Sequence, residues 1–394
     1  MKYNFDELVD RRGTGCVKWD ESPNDEVIPL WVADMDFKAA PAILEAVRKR
    51  AEYGVFGYAV VEDDYYEAVI SWFQRRHDWT IHREEILYTT GVVPAMSVAI
   101  KALTMPGEKV LILSPDYNCF FSSVRNNGCE VLETALKRVG DTFEVDWQDF
   151  ETKCADEKTT VFLLCNPHNP TGRVWTKTEL MQMNDICLKY GVKVVSDEIH
   201  CELMMPGYKF QPFAAVSEAC RQNCVILNSP SKSFNIAGLQ AANIICSQPS
   251  WRRRLDRAIN INEVCDVNVF GPVAVKAAYN DSEQWLDELN AYLYDNYRVL
   301  CDFVAQELPA LRVMPLEGTY LVWVDCRQLG VPVDELCERL LREGRVWVNP
   351  GTMYGPTSGQ GYIRINIACP RAQLMEGLRR MASVIKLTTT DSTD

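Results

Sequence analysis

Histidine is scarce in this chain of 394 residues, with four in all, and 41 Lys and Arg against 54 Asp and Glu leave a formal charge of -13. That balance argues against nucleic acid or an anionic membrane as partner, because clustered basic residues supply most of such affinity. No stretch approaches the roughly 18 consecutive apolar residues of a membrane span, and the opening "MKYNFDELVDRRG" lacks the apolar core of a secretory signal. These absences point to a cytoplasmic protein acting on a small molecule. Cysteine is plentiful but unordered: the fifteen residues are odd in number and scattered, and no secretory signal precedes them. The closest pair, Cys220 and Cys224, has no matching Cys or His pair nearby, so reduced core thiols are expected and no metal site is.

What is present is a 47% hydrophobic composition over a length that suggests two or three domain-sized units. Short β-branched runs, "KVLILS" (109–114), "TVFLLC" (160–165), "VKVVSDE" (192–198), "CVILNS" (224–229) and "ANIIC" (242–246), read as buried strands. Helical patterns lie between several of them. One is 176–190, where Thr176 stands three residues before Glu179 as a capping box. The rhythm predicts an α/β fold with a largely parallel sheet. From about Asp281 the texture changes to a long helix through Glu307, then the short strands "TYLVWVD", "RVWV" and "YIRINIA", and more helix. The expected division is an N-terminal segment (1–45) joining a small α+β domain (285–387), a large domain (46–284), and a disordered tail (388–394).

Ligands of open α/β sheets bind beyond the carboxyl ends of the strands. "TVFLLC" runs into "NPHNPTG", with Asn166 and Asn169; "VKVVS" ends on Asp197; "CVILN" delivers Ser229, Ser231 and Lys232. Three strands thus converge on amides, a carboxylate, two hydroxyls and an amine. Pyridoxal phosphate chemistry requires such a set: an amine to hold the aldehyde, a carboxylate to keep the ring nitrogen protonated, an amide for the phenolate oxygen, and hydroxyls for the phosphate. Lys232, Asp197, Asn169, and Ser229 with Ser231 suit those roles in turn. In "TTGVVPAMSVAIKAL" (89–103) a glycine turn runs into an amphipathic helix, so the amides of Val92 and Val93 suit a phosphate as well.

With "NPHNPTGRVW", "SDEIH" and "SKSFNIAGLQ" in this order, and with "RRGTGCVKWD", "PLWVADMDF", "FGY", "SPDYNCFF", "VNPGTMYG" and "GYIRINIACP" around them, the chain resembles a known family nearly end to end. That family is the MalY/PatB-type cystathionine β-lyases, or C-S β-lyases, of the fold-type I pyridoxal phosphate enzymes. The resemblance implies a large domain with a mostly parallel sheet between helices, a smaller α+β domain, and a homodimer with shared active sites. It implies that Lys232 is the Schiff-base lysine and proton shuttle, that Asp197 pairs with the pyridine nitrogen and Asn169 with the phenolate oxygen, and that Tyr117 stacks on the ring. It further implies that Val92, Val93, Ser229 and Ser231 hold the phosphate, that Tyr58 reaches the phosphate of the neighbouring subunit, and that Arg364 clamps the substrate α-carboxylate. The activity implied is β-elimination from L-cystathionine or related S-substituted L-cysteines, giving a thiol, pyruvate and ammonia.

Two departures from the commoner aminotransferase pattern bear on this reading. Gln240 stands where such enzymes carry a phosphate-binding arginine, and His200 stands where they often carry tyrosine. His200 suits either a wall of the cofactor site or a satisfied buried imidazole. Trp31 and Asp34 suit either the substrate mouth or plain packing. A class I/II aminotransferase using the same lysine is the alternative activity, and a non-catalytic protein on an inherited enzyme fold is a third reading.

Overall fold

A computed structural model describes residues 1–261 and 263–391. Its main sheet has seven strands: β1 Ile86–Thr89, β2 Lys109–Ser114, β3 Glu130–Ala135, β4 Thr159–Cys165, β5 Lys193–Asp197, β6 Cys224–Asn228 and β7 Ala242–Ile245. They lie in the order β1-β7-β6-β5-β4-β2-β3. The five strands from β6 to β3 run parallel, whereas β7 is antiparallel to both β6 and β1.

The apolar runs form strands because both faces of this sheet are covered, so every residue of a run has a dry side to face. In β4, Val161, Leu163 and Cys165 join one core while Phe162 and Leu164 join the other. β2 divides in the same way, with Val110 and Ile112 against Leu111 and Leu113. Helix α1 (Val92–Leu103) covers the first face with Ala95, Met96, Ala99 and Leu103, and α2 (Lys177–Lys189) covers the second with Leu180, Met183 and Cys187. The expected capping box of α2 forms: Glu179 donates its backbone N–H to Thr176 Oγ1 at 3.2 Å, and its carboxylate accepts the Thr176 N–H at 2.9 Å. A cap of this kind is worth about 1 kcal/mol.

After the long helix α3 (Glu283–Glu307), a second sheet of β8 Arg312–Val313, β9 Leu321–Asp325, β10 Asn349–Pro350 and β11 Tyr362–Asn366 has the order β8-β9-β11-β10, all antiparallel. The N-terminal strand Ile28–Pro29 pairs in parallel with Val346–Trp347, and Trp31 stacks on Trp347 at 4.1 Å. Helix α4 (Arg371–Asp391) runs through residues expected to be disordered, so 388–391 continue a helix, and 392–394 lie outside the described residues. All fifteen cysteines are free thiols, eleven of them buried. No helix among the described residues is long and apolar enough to cross a membrane.

Candidate active site

Parallel strands point their carboxyl ends at one edge, so β4, β5 and β6 deliver their exit loops to the same place. The register sets Cys165 beside Asp197 and Asp197 beside Leu227. Backbone bonds continue past the strand ends, from Asn166 N–H to the Asp197 carbonyl and from Glu198 N–H to the Leu227 carbonyl, both at 2.9 Å. Together with the first turn of α1 these loops enclose a cavity of about 190 Å³. Eight of the site residues expected from the sequence line it: Lys232, Asp197, Asn169, Tyr117, Val92, Val93, Ser231 and His200, with Gln240 beside them.

Asp197 is buried and accepts the Ile199 N–H at 3.1 Å. Burial pushes its carboxyl up to about 7, against the opposing effects of that N–H and of Lys232. Glu198 lies behind it, held by Ser196 Oγ at 3.0 Å and Phe213 N–H at 2.9 Å, and burial takes it up to about 8. His200 is pressed down to about 3, first by burial and then by the cations of Lys232 and Arg364; its Nδ1 is buried without a partner. Burial also lowers the Lys232 amine, an effect that Arg364 reinforces and that Asp34 and Asp197 oppose. Lys232 Nζ donates to the Ala33 carbonyl at 2.5 Å.

Asn169 is oriented from behind. Arg364, brought by β11, donates through Nη1 to Asn169 Oδ1 at 3.0 Å and through Nη2 to the Trp31 carbonyl at 2.8 Å, and its guanidinium lies over the Tyr354 ring at 4.6 Å. This grip on Oδ1 leaves the Asn169 amide nitrogen as the group free to donate. Arg364 is buried and does not line the cavity, although its Nε has no partner.

At the opposite end Gly91 caps α1 without a side-chain bond, so the amides of Val92 and Val93 begin a helix with no capping acceptor. Ser231 lines this end. Ser229 does not: its hydroxyl donates to the Ala241 carbonyl at 2.7 Å and accepts the Ser231 N–H at 3.1 Å, which spends it on the turn. A direct phosphate contact from the Ser229 hydroxyl is therefore not what this turn provides. Tyr58 also stands apart from the cavity, 98% exposed in the single chain. Gln240 lines the cavity but folds its amide back on the Ala237 carbonyl at 2.9 Å and brings no cation.

Sequence reasoning passed over Ala33, Cys165 and Ile199, all of which line the cavity. Ala33 lay within the quoted "WVADMDF", but a backbone carbonyl has no side-chain signature. Elsewhere, possible metal-ligand atoms of His77, Cys201 and Glu202 lie within 4.8 Å of one another. Glu202 Oε1 there accepts from Trp72 Nε1 at 2.7 Å and lies 2.6 Å from His77 Nε2, so that oxygen is engaged in an internal network, while Oε2 is buried without a hydrogen-bond partner.

The cavity fits pyridoxal phosphate on its own chemistry. A carboxyl held near 7 by burial calls for a cation such as a protonated ring nitrogen. An amide donor and an amine stand on the same wall, and a helix N-terminus with a serine can take the phosphate.

Comparison with known proteins agrees. The aminotransferase class I and II family matches residues 25–381. Cystathionine beta-lyase PatB of Bacillus subtilis (strain 168) is 40% identical over 97% of this chain and 100% of its own length. Protein MalY of Escherichia coli (strain K12) is 34% identical over 98% of this chain and 99% of its own. The crystal structure of cystalysin from Treponema denticola, which contains pyridoxal 5'-phosphate, superposes with a TM-score of 0.95 at 34% identity, covering 98% of this chain and 99% of that one. The chain belongs to the aminotransferase class I and II family, within its MalY and PatB group of carbon-sulfur lyases.

Proposed function

We propose that this protein is a pyridoxal phosphate-dependent carbon-sulfur β-lyase that cleaves L-cystathionine or related S-substituted L-cysteines to a thiol, pyruvate and ammonia. The observation that carries the reading is the meeting of Lys232, Asp197 and Asn169 on one cavity, in a chain aligned end to end with proteins named cystathionine beta-lyase. Gln240 favours the lyase over the aminotransferase, since it withholds the phosphate cation of the commoner transaminating pattern.

When bound, the cofactor supplies an aldehyde that captures the substrate amine and a ring that withdraws electrons from Cα. Asp197 binds the ring nitrogen and holds its proton. Asn169 donates to the phenolate oxygen, and Tyr117 covers the ring face, where an aromatic neighbour adds about 0.5 to 1.5 kcal/mol beyond burial. The amides of Val92 and Val93, with Ser231, hold the phosphate; Ser229 shapes their turn. Arg364 stands behind Asn169 with its Nε unpartnered, and it would meet the substrate carboxylate by turning toward the cavity from its grip on Asn169 and Trp31. Lys232 Nζ takes the proton from Cα, helped by the burial that lowers its pKa. The electron pair of the broken C–H bond then expels the thiolate from Cβ. His200, neutral at working pH, packs the cavity wall beside Lys232.

In a homodimer Tyr58 reaches the phosphate of the second subunit. Its full exposure in one chain, amid the exposed Tyr53, Val55, Phe56 and Val60, supports that placement. Fifteen unpaired cysteines support a cytoplasmic location.

The test is release of pyruvate and free thiol from L-cystathionine by the cofactor-loaded protein with no oxo-acid present. Stoichiometric release over many turnovers, lost in Lys232→Ala, supports the lyase. A single turnover that stalls with the cofactor in its amine form makes the protein an aminotransferase instead.

A further inference from the structure

The stretches "RRGTGCVKWD" and "WVADMDF" find no role in the chemistry above, yet they meet at the wall of the cavity. The backbone from Trp31 to Met35 forms a strap in which all five successive carbonyls accept side-chain hydrogen bonds. Two of the donors are site residues: Arg364 bonds the Trp31 carbonyl and Lys232 the Ala33 carbonyl. Tyr320 Oη donates to the same Ala33 oxygen at 3.0 Å, and Asn366 spans the Val32 and Asp34 carbonyls at 2.5 and 2.7 Å.

The far side of the strap is clamped by two cations. Lys18 is fully buried, 2.8 Å from Asp36 and 3.6 Å from Asp34. Arg11 bridges the same carboxylates, Asp34 and Asp36, at 2.8 Å each. A buried ion pair of this kind is a poor way to gain stability, because well-packed apolar residues often serve as well or better. What it does provide is a fixed geometry, with two carboxylates two residues apart pinned from behind and Ala33, the residue just before them, lining the cavity.

Resting on the lyase reading, we infer that Lys18 is a positioning residue: through Asp34 and Asp36 it aims the Ala33 carbonyl at Lys232, and that carbonyl holds the lysine amine whenever it is not covalently engaged. A carbonyl binds an ammonium more strongly than a neutral amine. The strap therefore favours Lys232 in the state reached just after it has taken the Cα proton. No bond is made or broken; one N–H of Lys232 points at Ala33, and the nitrogen is kept facing the cavity.

The experiment compares Lys18→Met and Lys18→Arg with the parent holoenzyme. In Lys18→Met, kcat per cofactor-loaded molecule falls tenfold or more while KM stays within about threefold, and Lys18→Arg recovers most of the loss. A second readout needs no turnover: the rate at which the stripped protein takes up pyridoxal phosphate, followed by absorbance, drops at least fivefold in Lys18→Met. Should Lys18→Met fail to fold, Asp34→Asn keeps the Lys18–Asp36 pair and loosens the strap alone, with the same two losses expected. A kcat within twofold of the parent and unchanged uptake, in whichever variant folds, would overturn the proposal. If the parent itself releases no thiol, the lyase reading fails, and the uptake measurement still decides the role of Lys18.

Discussion

Replacing Asp197 by Asn should stabilise the cofactor-free protein and destabilise the loaded one. In the empty cavity burial raises the Asp197 carboxyl from the ordinary 3.8 to about 7, so between those values the folded chain holds a proton that the unfolded chain has lost. Stability from this group is full below pH 3.8 and is lost as pH rises to about 7. At about 1.4 kcal/mol per pH unit, the whole loss is about 4 kcal/mol. Unfolding a chain of 394 residues has an entropy of about 0.8 kcal/mol per degree, which makes that loss worth about 5 °C. Asparagine is nearly isosteric, keeps an acceptor for the Ile199 N–H, and does not titrate. Thermal melts of stripped wild type and Asp197→Asn should therefore diverge with pH, the variant gaining about 3 °C on wild type between pH 5 and 7. Glu198 and Asp116 are raised first by burial, which both proteins share, and the Asp197 charge adds a smaller rise to each in wild type alone. With cofactor bound the order reverses, because the ring nitrogen then needs the carboxylate. Parallel pH curves for the two stripped proteins would refute the claim that burial dominates this carboxyl.

Arg364→Lys surrenders the planar grip on Asn169 and Trp31; kcat/KM for L-cystathionine should fall about a hundredfold, the equivalent of about 3 kcal/mol. Ser229→Ala leaves the Ala241 carbonyl without its partner; urea unfolding should show a loss of about 1 to 2 kcal/mol with cofactor affinity nearly unchanged, whereas Ser231→Ala should weaken cofactor retention. Glu202→Gln uncouples a buried carboxylate from His77 and Trp72 and should cost about 3 kcal/mol of stability at neutral pH. His77 and other partners hold the Glu202 carboxyl below its usual range despite burial. Its contribution is therefore present above about pH 4.5 and fades as pH falls further, so the deficit measured by chemical denaturation should shrink in acid.

The strands of the main sheet were legible because both faces are dry, and a run such as "TVFLLC" has no other place to go. Strand direction was not: "ANIIC" reads like its neighbours, yet β7 is antiparallel, which only its pairing with β6 and β1 decides. Lys232, Asp197 and Asn169 were legible because strand exits in an α/β sheet converge, and a side chain there has chemistry to advertise. Ser229 and Ser231 look equivalent in the sequence. The Ala241 carbonyl, twelve residues on, takes the hydroxyl of Ser229 away from the cavity. The Ala33 carbonyl was invisible for the opposite reason, since every residue carries one and only the strap makes this one special. The final helix outran its sequence signal because "TTTD" (388–391) is polar and β-branched, a weak helix former in isolation.

Before cofactor binds, burial opposes charge on the titratable groups in and beside the cavity. Asp197 holds its proton up to about 7 and Glu198 up to about 8, His200 stays uncharged down to about 3, and the Lys232 amine is lowered by burial. An incoming molecule that is cationic at its ring nitrogen and anionic at its phosphate supplies opposite charges to opposite ends of this space. The ring end answers with a full charge, that of Asp197. The phosphate end answers with α1 amides and a serine, a helix terminus being worth about 0.3 to 1 kcal/mol toward an anion at an exposed site. Phosphate grip is thus the weaker half of cofactor binding, and Gln240 is where a cation is missing. Gln240 already has φ +53°, so another L-residue with a long side chain adds no new backbone strain. Gln240→Arg should slow loss of pyridoxal phosphate to a trapping agent about tenfold, the effect of one charge-assisted hydrogen bond of about 1.5 kcal/mol. An unchanged loss rate would mean that the α1 turn already satisfies the phosphate, and that the weaker half of the site lies elsewhere.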